Sequence, residues 1–212
     1  MGRCFILNRR RQSVENNFNL LLYLAFGLLV LVCFLFVGFK LIWKTEPDLR
    51  ISYASTEYMN TQTFSDTIGE VEILLRDANG DGKRKAGVEA YYSKDNAEVL
   101  KKLEQYISSD SYDIYISTKE AFESVKDKSV FVDSGKYYVL GTYGNDVLED
   151  ENGRVYAVSL KDNTVAEYFG ILSNENLFIA AAQDLGDTTT FRKNGMNISG
   201  YIIENKSKYK IN

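Results

Sequence analysis

The stretch VEAYYSKDNAEVLKKLEQYISSDSYDIYIS, from Val88 to Ser117, carries the clearest pattern in the chain. Apolar and aromatic residues cluster at its start, recur at helical spacing in its middle and form a short run at its end. The pattern predicts strands over residues 88–92 and 112–117, and between them a helix over 95–108 with Asp95 as its N-cap. A strand, a helix and a strand in this order predict a right-handed crossover between parallel strands.

The same alternation continues on both sides of this stretch. Strands are predicted over residues 49–54 and 130–133, and helices over 64–78 and 119–126. Thr67 and Glu70 fit a capping box in the first of these helices. Strands that alternate with helices indicate an α/β fold with a mainly parallel sheet.

The pattern changes after Gly135. Aromatic-rich strands are predicted over 136–143 and 154–160 around a polar turn at 149–153, which makes a β-hairpin excursion from the sheet. Further on, the pattern favours a strand over 167–172, a helix over 174–185 and a short strand over 201–203. We therefore predict one α/β domain over residues 48–190, followed by a C-terminal strand and polar tail over 191–212.

The N-terminal region has the composition of a membrane anchor. Twenty residues without a charge, from Leu20 to Phe39, follow an arginine cluster within the first eleven residues. At about 1.5 Å per residue, such a helix spans the hydrocarbon core of about 30 Å. The sequence predicts a cytoplasmic tail over 1–17, a single transmembrane helix over 18–43 and an extracellular C-terminal domain in the cell membrane, because basic residues favour the cytoplasmic side.

A cleaved signal peptide is the alternative interpretation of this region. The apolar run is longer than the usual apolar part of a signal peptide, and no small-residue cleavage site follows it. We therefore favour the anchor.

Cysteine usage and charge limit what the domain after the anchor can do. Both cysteines, Cys4 and Cys33, precede it, so it lacks disulfides and thiolate ligands, as expected of an exported bacterial envelope domain. Without its first 44 residues the chain carries 19 basic and 28 acidic residues, a formal charge of about −9. Nucleic-acid binding needs clustered cations, so we expect no nucleic-acid partner.

The run DANGDGK, residues 77–83, matches the start of a calcium loop. Asp77, Asn79 and Asp81 occupy positions one, three and five. Gly82 stands at position six, and Lys83 would supply a backbone carbonyl at position seven. The sequence predicts Ca²⁺ as the one candidate cofactor, bound by Asp77, Asn79, Asp81 and Lys83.

The end of this loop departs from the calcium pattern. Position twelve is Val88 where calcium loops carry a bidentate glutamate, and Glu89 comes one residue late. The alternative is a plain turn in which Gly80 and Gly82 supply positive φ and the Asp and Asn side chains bind the local backbone. The sequence leaves both interpretations open.

Residues that catalysis usually needs are missing. The chain contains no histidine, which excludes Ser-His-Asp triads, histidine zinc sites and imidazole acid–base chemistry. Phosphate-binding glycine motifs and nucleophile-elbow motifs are also missing from the sequence. We expect no catalytic residues and no enzymatic activity.

Tyrosines are unusually numerous, at fifteen in the whole chain, and include the pairs Tyr91/Tyr92 and Tyr137/Tyr138. Neighbouring strand residues face opposite ways, so one ring of each pair is expected to point outward. Such rings could line a groove for a peptide or a sugar. Ordinary core and strand packing is the alternative explanation.

Four segments resemble a known group of proteins: EPDLRISYAS (46–55), RDANGDGKRKAGVEAYY (76–92), KKLEQYISSDSYDIYISTKEAFESVKDKSVFVDS (101–134) and FGILSNENLFIAAAQDL (169–185). They resemble single-pass envelope proteins of clostridia-like Firmicutes, which are themselves similar to one lobe of extracellular solute-binding proteins. The resemblance implies one solute-binding-like α/β lobe, with the second lobe reduced to strands around 136–160. In that comparison residues 169–185 form a strand and a helix that return to the first lobe. No ligand residue is implied.

Three functions follow as hypotheses. The leading one is a non-enzymatic, membrane-tethered interaction module of the cell envelope, whose partners are the lipid bilayer and another envelope or transporter protein. The alternative is a tethered receptor that captures a small solute for a neighbouring transporter. The third is a calcium-dependent hydrolase, which would need paired carboxylates in a cleft.

Overall fold

The computed structural model describes residues 23, 25–34, 46–140, 146–171, 176–183 and 189–204. The chain forms two compact units, Met1–Thr45 and Glu46–Asn212. In the first unit, residues 25–34 are helical with exposed side chains. Among the described residues, no helix combines the length and the apolar character needed to cross a membrane. Most of the predicted anchor over 18–43 and the whole tail over 1–17 lie outside the described residues.

The second unit is an α/β domain, as the sequence predicts. Its elements in chain order are β1 (Leu49–Ser55), α1 (Thr61–Leu74), β2 (Ala86–Tyr92), α2 (Asn96–Ser108), β3 (Ile114–Thr118), α3 (Lys119–Ser124), a 3₁₀ turn (Lys128–Val130), α4 (Ser134–Tyr137), β4 (Val147–Glu149), β5 (Val155–Ser159), α5 (Thr164–Tyr168), β6 (Leu177–Ala181) and α6 (Thr190–Glu204).

The six strands form one mixed sheet in the order β2-β1-β3-β6-β5-β4. β1 is parallel to both of its neighbours, and Ile51 aligns with Val88 on β2 and with Ile114 on β3. β6 is antiparallel to β3 and β5, and β4 is antiparallel to β5. The predicted parallel arrangement therefore holds for β2, β1 and β3, and the later strands make the sheet mixed.

Helices cover both faces of this sheet. On one face α1, α5 and α6 bury Phe64, Val165 and Ile202 against the sheet. On the other face α2 and α3 bury Leu103 and Phe122. Alternate residues of each strand face opposite ways, and the central strands are largely buried on both sides. Each fully buried apolar side chain contributes about 1.5–3 kcal/mol to folding.

Strand direction gives the domain two distinct edges. The amino edge, where β1, β2 and β3 begin, holds the loop over 75–85 and the turn over 150–154. The carboxyl edge holds the segments over 56–60 and 93–95 that follow β1 and β2. The chain enters the domain at Glu46, so its entry point and the calcium-like loop share the amino edge.

The first half of the domain follows the sequence prediction closely. Asp95 caps α2 by accepting the Ala97 N–H at 2.8 Å, which confirms its predicted role. The capping box at Thr67 and Glu70 is wrong, because α1 begins earlier, at Thr61. Its cap is Asn60, whose side chain accepts the N–H of residue 63 at 3.1 Å.

Three elements in the second half have the opposite type to the prediction. The helix predicted over 174–185 is wrong, because Leu177–Ala181 forms strand β6 and is buried throughout. The strand predicted over 167–172 is wrong, because Thr164–Tyr168 is helix α5, capped by Asn163. The strand predicted over 201–203 is wrong, because these residues end α6, so the segment over 191–212 contains a helix.

The predicted hairpin is present around its predicted turn, since β4 and β5 pair on either side of it. Its first strand is misplaced, because part of the segment predicted as a strand over 136–143 belongs to helix α4. Residues 141–143 lie outside the described part of the chain. The strand predicted over 130–133 is wrong, because it is reduced to a single bridge between Phe131 and Ala182.

Candidate functional site

The predicted metal ligands lie together in the exposed loop between α1 and β2. Both carboxylate oxygens of Asp77 accept backbone hydrogen bonds, from the N–H of Gly80 at 2.7 Å and of Gly82 at 2.8 Å. These glycines have φ of +75° and +77°, a conformation that other residues rarely adopt. Asp77 therefore folds the loop around its own side chain.

The next two predicted ligands also bind the loop backbone. Asn79 accepts the N–H of Asp81 at 2.9 Å, and Asp81 accepts the N–H of Lys83 at 2.8 Å. Within the described part of the chain, no group of three or more His, Cys, Asp or Glu side chains is placed to hold a metal ion. Calcium binding by Asp77, Asn79, Asp81 and the Lys83 carbonyl stays a prediction.

A buried acid that the sequence analysis did not single out holds this loop against the sheet. Asp48 is 0% exposed, and its carboxylate accepts the N–H of Ala78 at 2.7 Å and of Lys85 at 2.8 Å. The hydrogen bonds compensate the desolvation of the carboxylate. Asp48 thus fixes both ends of the loop to the start of β1.

Helix α6 completes this buried network through Asn194. Its side-chain amide donates to the carbonyls of Asp48 at 3.0 Å and of Arg76 at 2.8 Å, and its oxygen accepts the Arg76 N–H at 2.9 Å. The three contacts join α6, the end of α1 and the entry of the chain into the domain. We interpret the network as structural.

A second candidate surface lies along β2, which ends the sheet on one side. Tyr92 is 45% exposed, and Tyr58, from the segment after β1, is 64% exposed. Their rings meet edge to face with centroids 6.4 Å apart. We name β2 together with Tyr58 the tyrosine edge.

Both tyrosine pairs named from the sequence have one outward ring. In the first pair Tyr92 is exposed and Tyr91 is half-buried. In the second, Tyr137 is 60% exposed, while the Tyr138 hydroxyl donates to the carbonyl of Met196 at 3.1 Å. The tyrosine edge differs from the second pair because two exposed rings lie side by side.

Charged and aromatic side chains connect β2 to α2 and to the segment before β3. Glu89 on β2 accepts hydrogen bonds from the Tyr112 hydroxyl and from Lys102 Nζ. Lys102 Nζ also lies 4.5 Å from the centroid of the Tyr106 ring. The Tyr112 hydrogen bond lowers the pKa of Glu89, and burial raises the pKa of Tyr106. Glu89 therefore stays ionised to a lower pH than an ordinary glutamate.

A shallow depression of about 620 Å³ lies at the amino edge, between residues 126–129 and the turn of the hairpin. Arg154 in its wall donates to the Asp150 carboxylate at 3.0 Å and to the Lys128 carbonyl. The backbone N–H of Arg154 lowers the pKa of Asp150. This open, charged lining differs from the apolar, enclosed pockets that usually bind small solutes.

Comparisons of this chain with protein-family models, with curated proteins and with solved structures found no match. The resemblance to one lobe of solute-binding proteins therefore depends on the sequence segments alone.

Proposed function

We propose that this chain is a membrane-tethered, extracytoplasmic interaction module of the cell envelope, without enzymatic activity, which binds a partner protein through the tyrosine edge. In this proposal a solute-binding-like α/β lobe follows a single N-terminal transmembrane helix. The lobe serves as a rigid platform for the binding surface.

The exposure of Tyr58 and Tyr92 is the observation that supports this proposal most directly. Two large rings with 64% and 45% of their surface in water keep considerable apolar area unburied. Aromatic side chains of this kind are enriched at the centres of protein interfaces, where burial of the ring is favourable and the hydroxyl can still find a hydrogen bond.

The anchor is supported by the sequence. The uncharged run from Leu20 to Phe39 is long enough for one span, and the preceding arginines favour a cytoplasmic N-terminus. An exported location is consistent with a domain that has no cysteine.

The absence of histidine from the whole chain supports a non-enzymatic role, because it removes the commonest acid–base group. The acidic side chains of Asp77 and Glu89 also have structural partners. Asp77 binds its own loop, and Glu89 binds Tyr112 and Lys102.

The test is affinity purification of the full-length protein from native membranes, with and without calcium, with mass spectrometry of the associated proteins. The double substitution Tyr58→Ala/Tyr92→Ala should remove a stoichiometric partner that the wild type retains. Tyr137→Ala removes a ring of similar exposure outside the tyrosine edge, and this variant should retain the partner. A complex that survives the double substitution contradicts the proposal, and so does a protein that purifies alone and as a monomer.

The strand order favours the tethered solute receptor as a second candidate. β1 lies between β2 and β3, so the connections after β1 and β3 leave in opposite directions. Ligands of open α/β sheets bind at such a point, outside the carboxyl ends of the strands. However, Ser55 and Thr118, which end these two strands, are almost fully buried. A transporter permease as the stoichiometric partner, together with a solute that raises the melting temperature, would favour the receptor.

A further inference from the structure

We propose that the tyrosine edge pairs with a second copy of this chain, through antiparallel β2–β2 pairing on a two-fold axis at Ala90. The inference rests on the proposed function, because it names a partner for the same surface. It follows from the hydrogen-bond pattern of β2, the position of Glu72 and the distribution of charge along the strand.

The bonds to β1 show which residues of β2 face outward. The N–H of Leu49 donates to the Lys85 carbonyl, and the N–H of Ser93 donates to the Ser55 carbonyl, both at 3.2 Å. In a parallel ladder alternate residues bond to the same neighbour, so the odd-numbered residues from 85 to 93 bond to β1. The even-numbered residues of β2 therefore direct their backbone groups away from the sheet.

The outward backbone N–H of the first of these residues, Ala86, already has a hydrogen-bond partner. The N–H of Ala86 donates to the Glu72 carboxylate of α1 at 3.2 Å. Val88, Ala90 and Tyr92 remain, and within the described residues no strand lies beyond β2. These three positions are symmetric about Ala90, so a second β2 running in the opposite direction matches all three at once.

Pairing centred on Ala90 places favourable side chains opposite one another. Val88 lies opposite Tyr92 of the second copy, which pairs a β-branched residue with an aromatic ring on each side of the axis. On the other face of the sheet, Glu89 lies opposite Tyr91 of the second copy. No like charges lie directly opposite each other.

Charge is also complementary at the two ends of the paired strands. Lys94 lies two residues beyond the end of β2, and in this register it comes near Ala86 of the other copy and the Glu72 carboxylate that binds the Ala86 N–H. The two-fold axis creates this contact twice. The side chains of Ala90, Tyr92 and Lys94 are exposed, so the edge is open to a second strand.

Disulfide trapping tests the register directly. Full-length protein with Cys4→Ser and Cys33→Ser receives Ala90→Cys, and is oxidised mildly in its membrane. Residues that exchange hydrogen bonds in an antiparallel pair have Cα atoms about 5.5 Å apart, within the range that a disulfide spans. Ala90→Cys should give a reducible dimer, and the exposed Glu151→Cys at the β4–β5 turn should not. Equal yields from the two variants overturn the proposal.

Ala90→Pro tests the same pairing without a new cross-link. Proline removes an outward N–H and leaves the bonds to β1 intact, so the monomer should keep its melting temperature. The dimer fraction, measured by mass photometry of the full-length protein in nanodiscs, should fall to the monomer baseline. A dimer that persists in Ala90→Pro, as pairing through the N-terminal segment would give, overturns the proposal.

A charge exchange tests the contact between Lys94 and Glu72. Lys94→Glu should lower the dimer fraction, and Glu72→Lys combined with Lys94→Glu should restore it. A dimer fraction that neither variant changes overturns the Ala90-centred register. Failure of self-pairing is distinguishable from failure of the proposed function, because Tyr58→Ala/Tyr92→Ala would then still remove a different partner protein.

Discussion

The side chain of Asn194 donates to the carbonyl oxygen of Asp48 at 3.0 Å, although 146 positions separate the two residues in the chain. Asn194 is 1% exposed and Asp48 is 0% exposed, so water cannot replace this bond easily. The contact joins helix α6 to the point where the chain enters the domain.

Asn194→Ala is expected to lower the free energy of unfolding by about 2–3 kcal/mol, because it leaves buried backbone groups of Asp48 and Arg76 without their partner. Chemical denaturation of the full-length protein in detergent measures the change. Asn197→Ala removes an exposed asparagine from the same helix and should change stability little. Equal losses for the two variants would contradict the structural role of Asn194.

The next residue of α6 shows how closely this helix approaches the sheet. A Cβ atom on Gly195 would lie 2.8 Å from both the backbone oxygen and the Cβ of Asp113. Gly195→Ala should therefore destabilise the domain by about 1–3 kcal/mol despite the higher helix propensity of alanine. Gly69→Ala in α1 meets nothing within 4 Å and should stabilise by about 0.5–1 kcal/mol. Chemical denaturation measures both changes in stability. If both substitutions stabilise the domain, α6 can move away from Asp113 and the prediction is wrong.

Local signals predicted the helices and strands of the first half of the domain and failed for several elements of the second half. The amphipathic spacing in α2 and the Asp95 cap are short-range features, and both are confirmed. The run Leu177–Ala181 is buried on both faces between β3 and β5, so its sequence has no period that separates a strand from a buried helix. Asn163 was a usable local signal for α5, because its side chain caps that helix within three residues.

The candidate sites also differ in how much of them could be predicted from the sequence, because some of their contacts are short-range and others are long-range. The turn of the DANGDG loop is predictable, because Asp77 bonds to residues three and five positions ahead. The contact between Tyr58 and Tyr92 joins residues 34 positions apart, and that between Asp48 and Ala78 spans 30 positions. The edge position of β2 depends on strand order, which periodicity does not encode. These relationships needed the three-dimensional structure.

The calcium prediction is tested at the loop itself. Millimolar calcium should raise the melting temperature of the wild type, because a cation that binds only the folded loop stabilises the fold. Asp81→Ala should abolish this rise, and Asp66→Ala on the exposed face of α1 should preserve it. A scan of each variant in calcium and in chelator measures the effect. An unchanged rise in Asp81→Ala excludes this loop as the site, and no rise in the wild type favours the plain turn.

The hydrogen bond from Tyr112 to Glu89 predicts a pH dependence of stability. It lowers the pKa of Glu89 in the folded state, so ionised Glu89 stabilises the fold above the ordinary glutamate pKa of about 4.3. This contribution is lost as pH falls through the lowered pKa. The free energy of unfolding of the wild type should therefore fall more steeply in acid than that of Glu89→Gln. Glu104→Gln, an exposed charge removal on α2, should follow the wild type. Denaturation between about pH 6 and pH 3 measures the slopes, and parallel slopes for wild type and Glu89→Gln would contradict the prediction.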